Sequence, residues 1–342
     1  PWDAQRPQSG ISFCDSNHII LDTMGGDKGP SEIVKGAIDG IKELGVDIVL
    51  VGEEDLLREE LSKYEYPKNS IEIINARETI ENHEEPVLAI RRKKDSSMVL
   101  GLKALANDKG DGFVSTGSTG ALLAGGLFIV KRIEGIERAA LASVYPTRNG
   151  FSFMLDIGAN VDSKPEYLLQ FATMGSIYSG KVLGIKSPKV GLANIGVEEG
   201  KGNTLVRESY KLLQDSNLNF IGNVEVRDIP EGVVDVIVCD GFMGNTMLKL
   251  TEGMAISMFT ALKGVFTSSL KSKLGALMLK SQLKSFKNSL DYREYGGAPL
   301  LGLKKPVVKA HGSSDALAIK NALRQVKTFS ENNIIEIIQR NI

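Results

Sequence analysis

Histidine, cysteine and tryptophan are nearly missing from this 342-residue chain, at three, two and one residues. Two cysteines, Cys14 and Cys239, cannot make a disulfide framework or a structural zinc site, which points to a reducing, cytoplasmic setting. Three histidines leave too few ligands for a His-rich metal centre, and no metal is expected. No apolar run approaches the roughly 18–20 residues that a bilayer span needs. Net charge is also lacking: 41 Lys+Arg against 42 Asp+Glu give −1, which argues against a nucleic-acid partner held by general basicity. The usual nucleotide loops G-x-x-x-x-G-K-[ST] and G-x-G-x-x-G do not occur, so nucleotide hydrolysis and ordinary dinucleotide binding lose weight. A G-x-S-x-G nucleophile elbow is missing as well, and neither cysteine sits in a redox motif. Cys239, in an apolar run, reads as an inert buried thiol. No cofactor is called for.

What is present is glycine, 36 residues of it, in a chain that is 42% apolar and 24% charged. That balance builds a packed core. Short β-rich runs recur at 19–22, 47–51, 71–74, 112–115, 139–144, 152–156, 189–194, 234–239 and 306–309. Several are apolar throughout, as strands buried on both faces require. Amphipathic stretches lie between them, such as 31–44 with Ile33, Ala37, Ile38 and Ile41 on one stripe behind Pro30-Ser31. Alternating elements predict an α/β, doubly wound, mostly parallel sheet.

Residues 1–18 show no periodicity and read as a disordered, vector-derived leader in which Trp2, Cys14 and His18 have no role. The remainder, 19–342, reads as one α/β unit. Its one irregular part is 253–290, which has six lysines and no acid. Apolar stripes there (Met254, Met258, Ala261, Val265; Leu270, Leu274, Leu277; Leu279, Leu283, Phe286, Leu290) change phase, predicting a projecting helical hairpin with a break near Gly275.

Four glycine turns follow strands: Met24 to Asp27, Ser115 to Gly120, Asp240 to Asn245, and His311 to Asp315. In a parallel sheet such turns gather at the carboxyl ends of the strands, where ligands bind. Each alone is also what any βα connection needs. Four together, with extra hydroxyls and amides, favour an anion site built on free N–H groups. Cations are the second ingredient. Arg91-Arg92-Lys93-Lys94 has the character of a solvated helix face. Lys201, between Gly200 and Gly202, is placed to reach an anion as a point charge. Asp156 to Asp162 ends another strand with polar side chains, where cap and turn chemistry is an equal explanation.

At these motifs the sequence resembles the PlsX-type phosphate acyltransferases of bacterial phospholipid synthesis. The residues that carry it are Asp22 to Asp27, Arg91 to Met98, Ser115 to Gly120, Asp156 to Asp162 with Lys164-Pro165-Glu166, Gly200 to Asn203, Phe220 to Glu225, Asp240 to Asn245, and Lys309 to Asp315. The resemblance runs from about residue 19 to the end. Departures are Thr23, where the family usually has alanine, Ser118, where it usually has asparagine, and Met243, where threonine is common.

The resemblance implies transfer of a long acyl chain from acyl-acyl carrier protein to inorganic phosphate. It also implies a fold related to phosphotransacetylases and isopropylmalate dehydrogenases, a homodimer, and peripheral association with an anionic membrane beside a downstream glycerol-phosphate acyltransferase. Within the family the residues matching Lys201 and Asn245 are tied to catalysis. Phosphate or substrate contacts are then expected from Gly25, Gly26, Asp27, Gly117, Ser118, Thr119, Gly120, Asn160, Asn203, His311, Gly312, Ser313 and Ser314. A lone histidine before a glycine turn, as at His311, is more often structural. Membrane or carrier contacts are expected from Leu270, Lys271, Lys273, Leu274, Leu277 and Lys280, although packing explains an apolar stripe equally well. The competing readings are an NAD-dependent dehydrogenase of the isopropylmalate type and a non-enzymatic acyl or lipid carrier.

Overall fold

The computed structural model describes residues 17–283 and 296–342. The leader expected over 1–16 and the end of the hairpin, with Lys284, Phe286, Lys287 and Leu290, lie outside the described residues.

Eleven strands form one sheet: β1 (His18–Asp22), β2 (Asp47–Gly52), β3 (Ile71–Asn75), β4 (Gly112–Ser115), β5 (Ala140–Thr147), β6 (Gly150–Leu155), β7 (Val190–Asn194), β8 (Phe220–Glu225), β9 (Val236–Val238), β10 (Ala298–Leu301) and β11 (Val307–Lys309). Their order is β3-β2-β1-β4-β11-β10-β5-β6-β9-β7-β8. The pairings β11 to β10, β10 to β5 and β5 to β6 are antiparallel, and the others are parallel. Two parallel wings therefore flank an antiparallel seam. The central strands have no exposed face: Ile19, Ile20, Leu21, Phe113 and Val114 are fully buried, as near-continuous apolar runs require.

Helices cover both faces. α1 (Pro30–Leu44) starts on a proline at its first turn and ends at Gly45, which takes the left-handed conformation at φ 65° and returns its N–H to Ile41 O at 3.2 Å. Its stripe Ile33, Ala37, Ile38 and Ile41 is buried, and each buried isoleucine stabilises the fold by about 1.5–3 kcal/mol. α2 (Glu54–Leu61), α3 (Pro86–Arg92), α4 (Ser97–Ala106), α5 (Thr119–Gly125), α6 (Pro165–Lys181) and α7 (Thr204–Gln214) follow the strands. The chain closes with α10 (Ala316–Glu331), packed on α1, and α11 (Ile334–Arg340), packed on α6.

Two boundaries move from the sequence reading. Asn17 and His18 belong to the fold: Asp47 N–H donates to Asn17 O at 3.0 Å, and His18 N–H to Asp111 Oδ2 at 2.8 Å. The helical break also shifts. α8 (Gly241–Thr267) and α9 (Leu270–Met278) part at Ser268-Ser269, and Gly275 stays inside α9. Ser269 Oγ accepts from Ser272 N–H at 3.0 Å, a cap worth about 1 kcal/mol. A glycine inside a helix costs about as much without ending it. Helix α9 and the outer part of α8 keep their apolar stripe in solvent, with Met254, Met258, Val265, Leu270, Leu274, Leu277 and Met278 all exposed.

Candidate functional site

β1, β4 and β11 are neighbours, and their carboxyl ends bring three of the glycine turns to one place. A Cβ on Gly25 would stand 2.4 Å from Gly117 Cα, and one on Gly26 would stand 2.9 Å from Thr116 Oγ1. Asp27 N–H donates to Gly312 O at 2.8 Å. Glycine is required here because backbone meets backbone. Behind the turns lies a charged network that the sequence reading did not assign. Asp22, fully inside, accepts from Ser115 Oγ at 2.7 Å and Met24 N–H at 3.2 Å. Burial raises its carboxyl above the ordinary value, against the opposing pull of those bonds and of Lys309. Lys309 Nζ donates to Thr116 O at 3.1 Å and to Ala310 O. Burial lowers its ammonium to about 8, and the carboxylates of Asp22 and Asp27 oppose that shift. His311 is held below the usual imidazole value by burial and then by Lys309, while its Nδ1 meets Ser313 Oγ at 2.9 Å. Ser314 is buried and gives its N–H to His311 O at 3.0 Å. Thr116 Oγ1 is buried with no hydrogen-bond partner. A cavity of about 210 Å³ opens beside Gly25, Gly26 and Asp27 and is closed by Thr79 to Asn82. A larger groove of about 590 Å³ lies along β3 and touches none of these turns.

The fourth turn goes elsewhere. Asp156, buried at the end of β6, accepts from the N–H groups of Leu141, Gly158, Ala159 and Asn160 at 2.6–3.2 Å and from Asn160 Nδ2 at 2.9 Å. Burial still raises its carboxyl above the ordinary range. The loop so fixed receives the first turn of α8: Gly241 N–H donates to Asn160 O at 2.8 Å, and a Cβ on Gly244 would fall 2.0 Å from Asp156 O. Asn245, exposed, lies against Gly158. Cys239 is buried under this junction, and burial pushes its thiol pKa well up, as expected of an unreactive group.

Lys201 sits on the loop after β7, the strand beside β9. The loop carrying Lys201 and the helix carrying Asn245 thus follow strands about 4.8 Å apart. The backbone around Lys201 is pinned by Asn194 Nδ2 to Lys201 O at 3.2 Å and Asn223 Nδ2 to Glu198 O at 2.9 Å. Its side chain is 53% exposed, with Nζ 4.0 Å from Glu198 Oε1. An exposed pair of that length is weak, about 0–1 kcal/mol, so the ammonium is easily recruited by an anion.

The expectation of one pocket lined by four turns is therefore corrected. Three turns meet at β1, β4 and β11. The fourth, after β9, meets the 156–160 loop after β6; these strands are four and three spacings from β11, about 19 and 14 Å. α8 spans the interval, with Thr251 Oγ1 2.9 Å from Tyr145 on β5 and Lys249 and Glu252 acting electrostatically on His311. Three side chains expected at phosphate already have local work. Ser118 and Asn203 accept from Ala121 N–H and Val206 N–H as caps of α5 and α7. The Asn160 amide donates to Asp156 and to Ala139 O. Thr119 is exposed at the start of α5, and Gly120 packs on Pro86. A pattern of hydroxyl or amide three residues before a free N–H is the signal that identifies such caps in sequence.

A family profile described as "Fatty acid synthesis protein" matches residues 17–337. The chain belongs to that family. Its relatives include the phosphate acyltransferase of Alkaliphilus oremlandii, 54% identical over 95% of this chain and 97% of that one. The phosphate acyltransferase of Clostridioides difficile is 52% identical over 94% and 95%. The chain is thus an enzyme of the acyltransferase class. Among solved structures it is similar in fold to a phosphotransacetylase from Streptococcus pyogenes, with a TM-score of 0.62, 18% identity, and coverage of 92% and 94%. The EutD phosphotransacetylase from Staphylococcus aureus gives 0.61 at 18% identity, with the same coverage. Among the described residues no helix is long and apolar enough to cross a membrane.

Proposed function

We propose that the enzyme moves a long-chain acyl group from acyl-acyl carrier protein to inorganic phosphate, supplying acyl phosphate for phospholipid synthesis. The observation that supports this most is the placement of an exposed lysine and an exposed amide on adjoining strand ends. A phosphate oxygen attacks the thioester carbonyl carbon and forms the C–O bond. The tetrahedral intermediate then collapses, the C–S bond breaks, and its electron pair leaves on sulfur, which takes up a proton as thiol. A thiol of pKa about 8.5 is a competent leaving group without a strong acid. What remains to be supplied is positioning and charge. Lys201 meets the attacking phosphate. Asn245, held against Gly158, donates to the carbonyl oxygen as it becomes an oxyanion.

The dehydrogenase reading gains nothing from the Alkaliphilus and Clostridioides relatives, both named phosphate acyltransferase, and the non-enzymatic carrier reading falls with the family. The enzyme works as a homodimer lying on anionic lipid through the lysine-bearing face of α8 and α9, close to the glycerol-phosphate acyltransferase that uses its product. The test is phosphate-dependent thiol release from acyl-carrier protein, with acyl phosphate trapped as hydroxamate. Lys201→Ala is expected to lower that rate about 10²–10³-fold, the usual cost of one transition-state donor. An unchanged rate refutes the assignment.

A further inference from the structure

The run Arg91 to Lys94 is not one solvated patch. Lys93 Nζ is turned inward, donating to Thr79 O at 2.7 Å and to Glu84 at 2.6 Å. Arg91, Arg92 and Lys94 remain exposed. The Arg91 guanidinium lies 5.6 Å over the ring of Phe128, and Phe128 is itself 53% exposed, on the turn that continues α5. On α3, Leu88 is exposed too. It stands three and four residues before Arg91 and Arg92, so the three share one helical face. The opposite face is the packed one, with Ala89 and Ile90 buried and Ile90 close to Gly125. Cations at a helix C-terminus answer the helix dipole, but the dipole gives no reason to leave a leucine and a phenylalanine in water between them. An exposed aromatic ring under an arginine, with a second arginine beside it, has the residue types in which protein interfaces are enriched.

The patch is tied to the site. A Cβ on Gly120, in the turn that opens α5, would stand 2.7 Å from Pro86, the first residue of α3. The seven residues of α3 carry the chain only about 10 Å from there to Arg92. A macromolecule seated on Leu88, Arg91, Arg92 and Phe128 therefore lies one short helix away from the glycine turns.

We infer that this face docks the donor itself, an acidic protein surface with an apolar projection that presents the acyl thioester. The inference rests on the carrier-linked donor of the proposed function. Leu88 and Phe128 take the projection, and Arg91, Arg92 and Lys94 take its carboxylates. Like other charge-steered encounters, the contact weakens as salt rises.

The experiment uses the full chain with two donors bearing the same acyl group, one on acyl carrier protein and one on the small neutral thiol N-acetylcysteamine. Arg91→Glu/Arg92→Glu is expected to raise KM for the protein donor tenfold or more. KM for the small donor and kcat should stay within twofold. Added salt should raise the wild-type KM for the protein donor toward that of the variant. Arg92→Glu alone, which leaves the Phe128 ring covered, checks that the effect is not misfolding. Equal changes with both donors, or no change with either, overturn the inference. So does loss of anionic-vesicle binding or of dimer mass with KM for the protein donor intact, which would give the patch to lipid or to a second copy. A wild-type enzyme that turns over only the small donor overturns it too, and one that turns over neither refutes the proposed function instead.

Discussion

Asp156→Asn tests the junction on which the candidate site rests. The Asp156 carboxylate accepts five hydrogen bonds, three on Oδ1 and two on Oδ2. Asparagine keeps the shape but places an NH2 where one oxygen was. With the NH2 on the Oδ2 side it faces the N–H and Nδ2 of Asn160. Two charge-assisted bonds are lost, at about 1.5–3 kcal/mol each. Removing a buried charge returns part of that, since burial already raises the Asp156 carboxyl pKa. The net cost is about 3 kcal/mol, toward the lower end of the range for breaking a buried charged network. The loss is expected as a lower urea midpoint with unchanged slope, so that it reads as stability rather than a changed unfolded state. A fall in kcat at saturating phosphate should accompany it, because the loosened loop carries both Gly158, which backs Asn245, and Asn160 O, which receives Gly241 N–H. A variant within about 0.5 kcal/mol of wild type, the range of ordinary surface changes, refutes the reasoning.

Gly25→Ala puts a methyl 2.4 Å from Gly117 Cα. It should cost about 1–3 kcal/mol in denaturant melts, and a variant as stable as wild type refutes the close contact. Lys309, lowered to about 8 from the ordinary 10.5, makes the folded state bind fewer protons than the unfolded one between those values, so stability rises with pH there. From pH 7.5 to 9.5 the gain is about 2 kcal/mol, and Lys309→Met should abolish it when urea midpoints are compared across pH. Replacing Lys271, Lys273 and Lys280 together by Glu should weaken binding to anionic vesicles about 10²-fold in a sedimentation assay, at about 1 kcal/mol per lysine near the surface. Unchanged sedimentation removes the lipid reading of that face.

The strands most legible in sequence were those whose composition leaves no alternative, such as 47–51 and 234–239, buried on both faces. β8 escaped notice because Gly222 and Asn223 interrupt it, and its register shifts against β7 at that point. β10 is four residues long and contains Pro299, which weakens any strand signal. The hairpin of β5 and β6 closes through the two residues Arg148-Asn149, between the paired Thr147 and Gly150, and Asn149 followed by Gly150 was a usable turn cue. Of the site, the glycine turns were visible because close backbone approach demands glycine. Which turns meet was not, because that depends on the strand order and on the antiparallel seam. The Asp22 and Lys309 network was equally hidden, as its partners lie in β1, β4 and β11, far apart in the chain.

α8 runs unbroken for 27 residues, about 40 Å, from Asn245 in its first turns to the exposed flank of Met254, Met258 and Val265. Such a rod can roll but hardly twist. A roll of about 20° moves a side chain at about 6 Å from the axis by about 2 Å. A displacement of only about 1 Å at a reacting group can change a rate about 10²-fold. A surface bound to that flank would act on the same helix that presents the Asn245 amide, so turnover at one end of the rod is expected to report contact at the other.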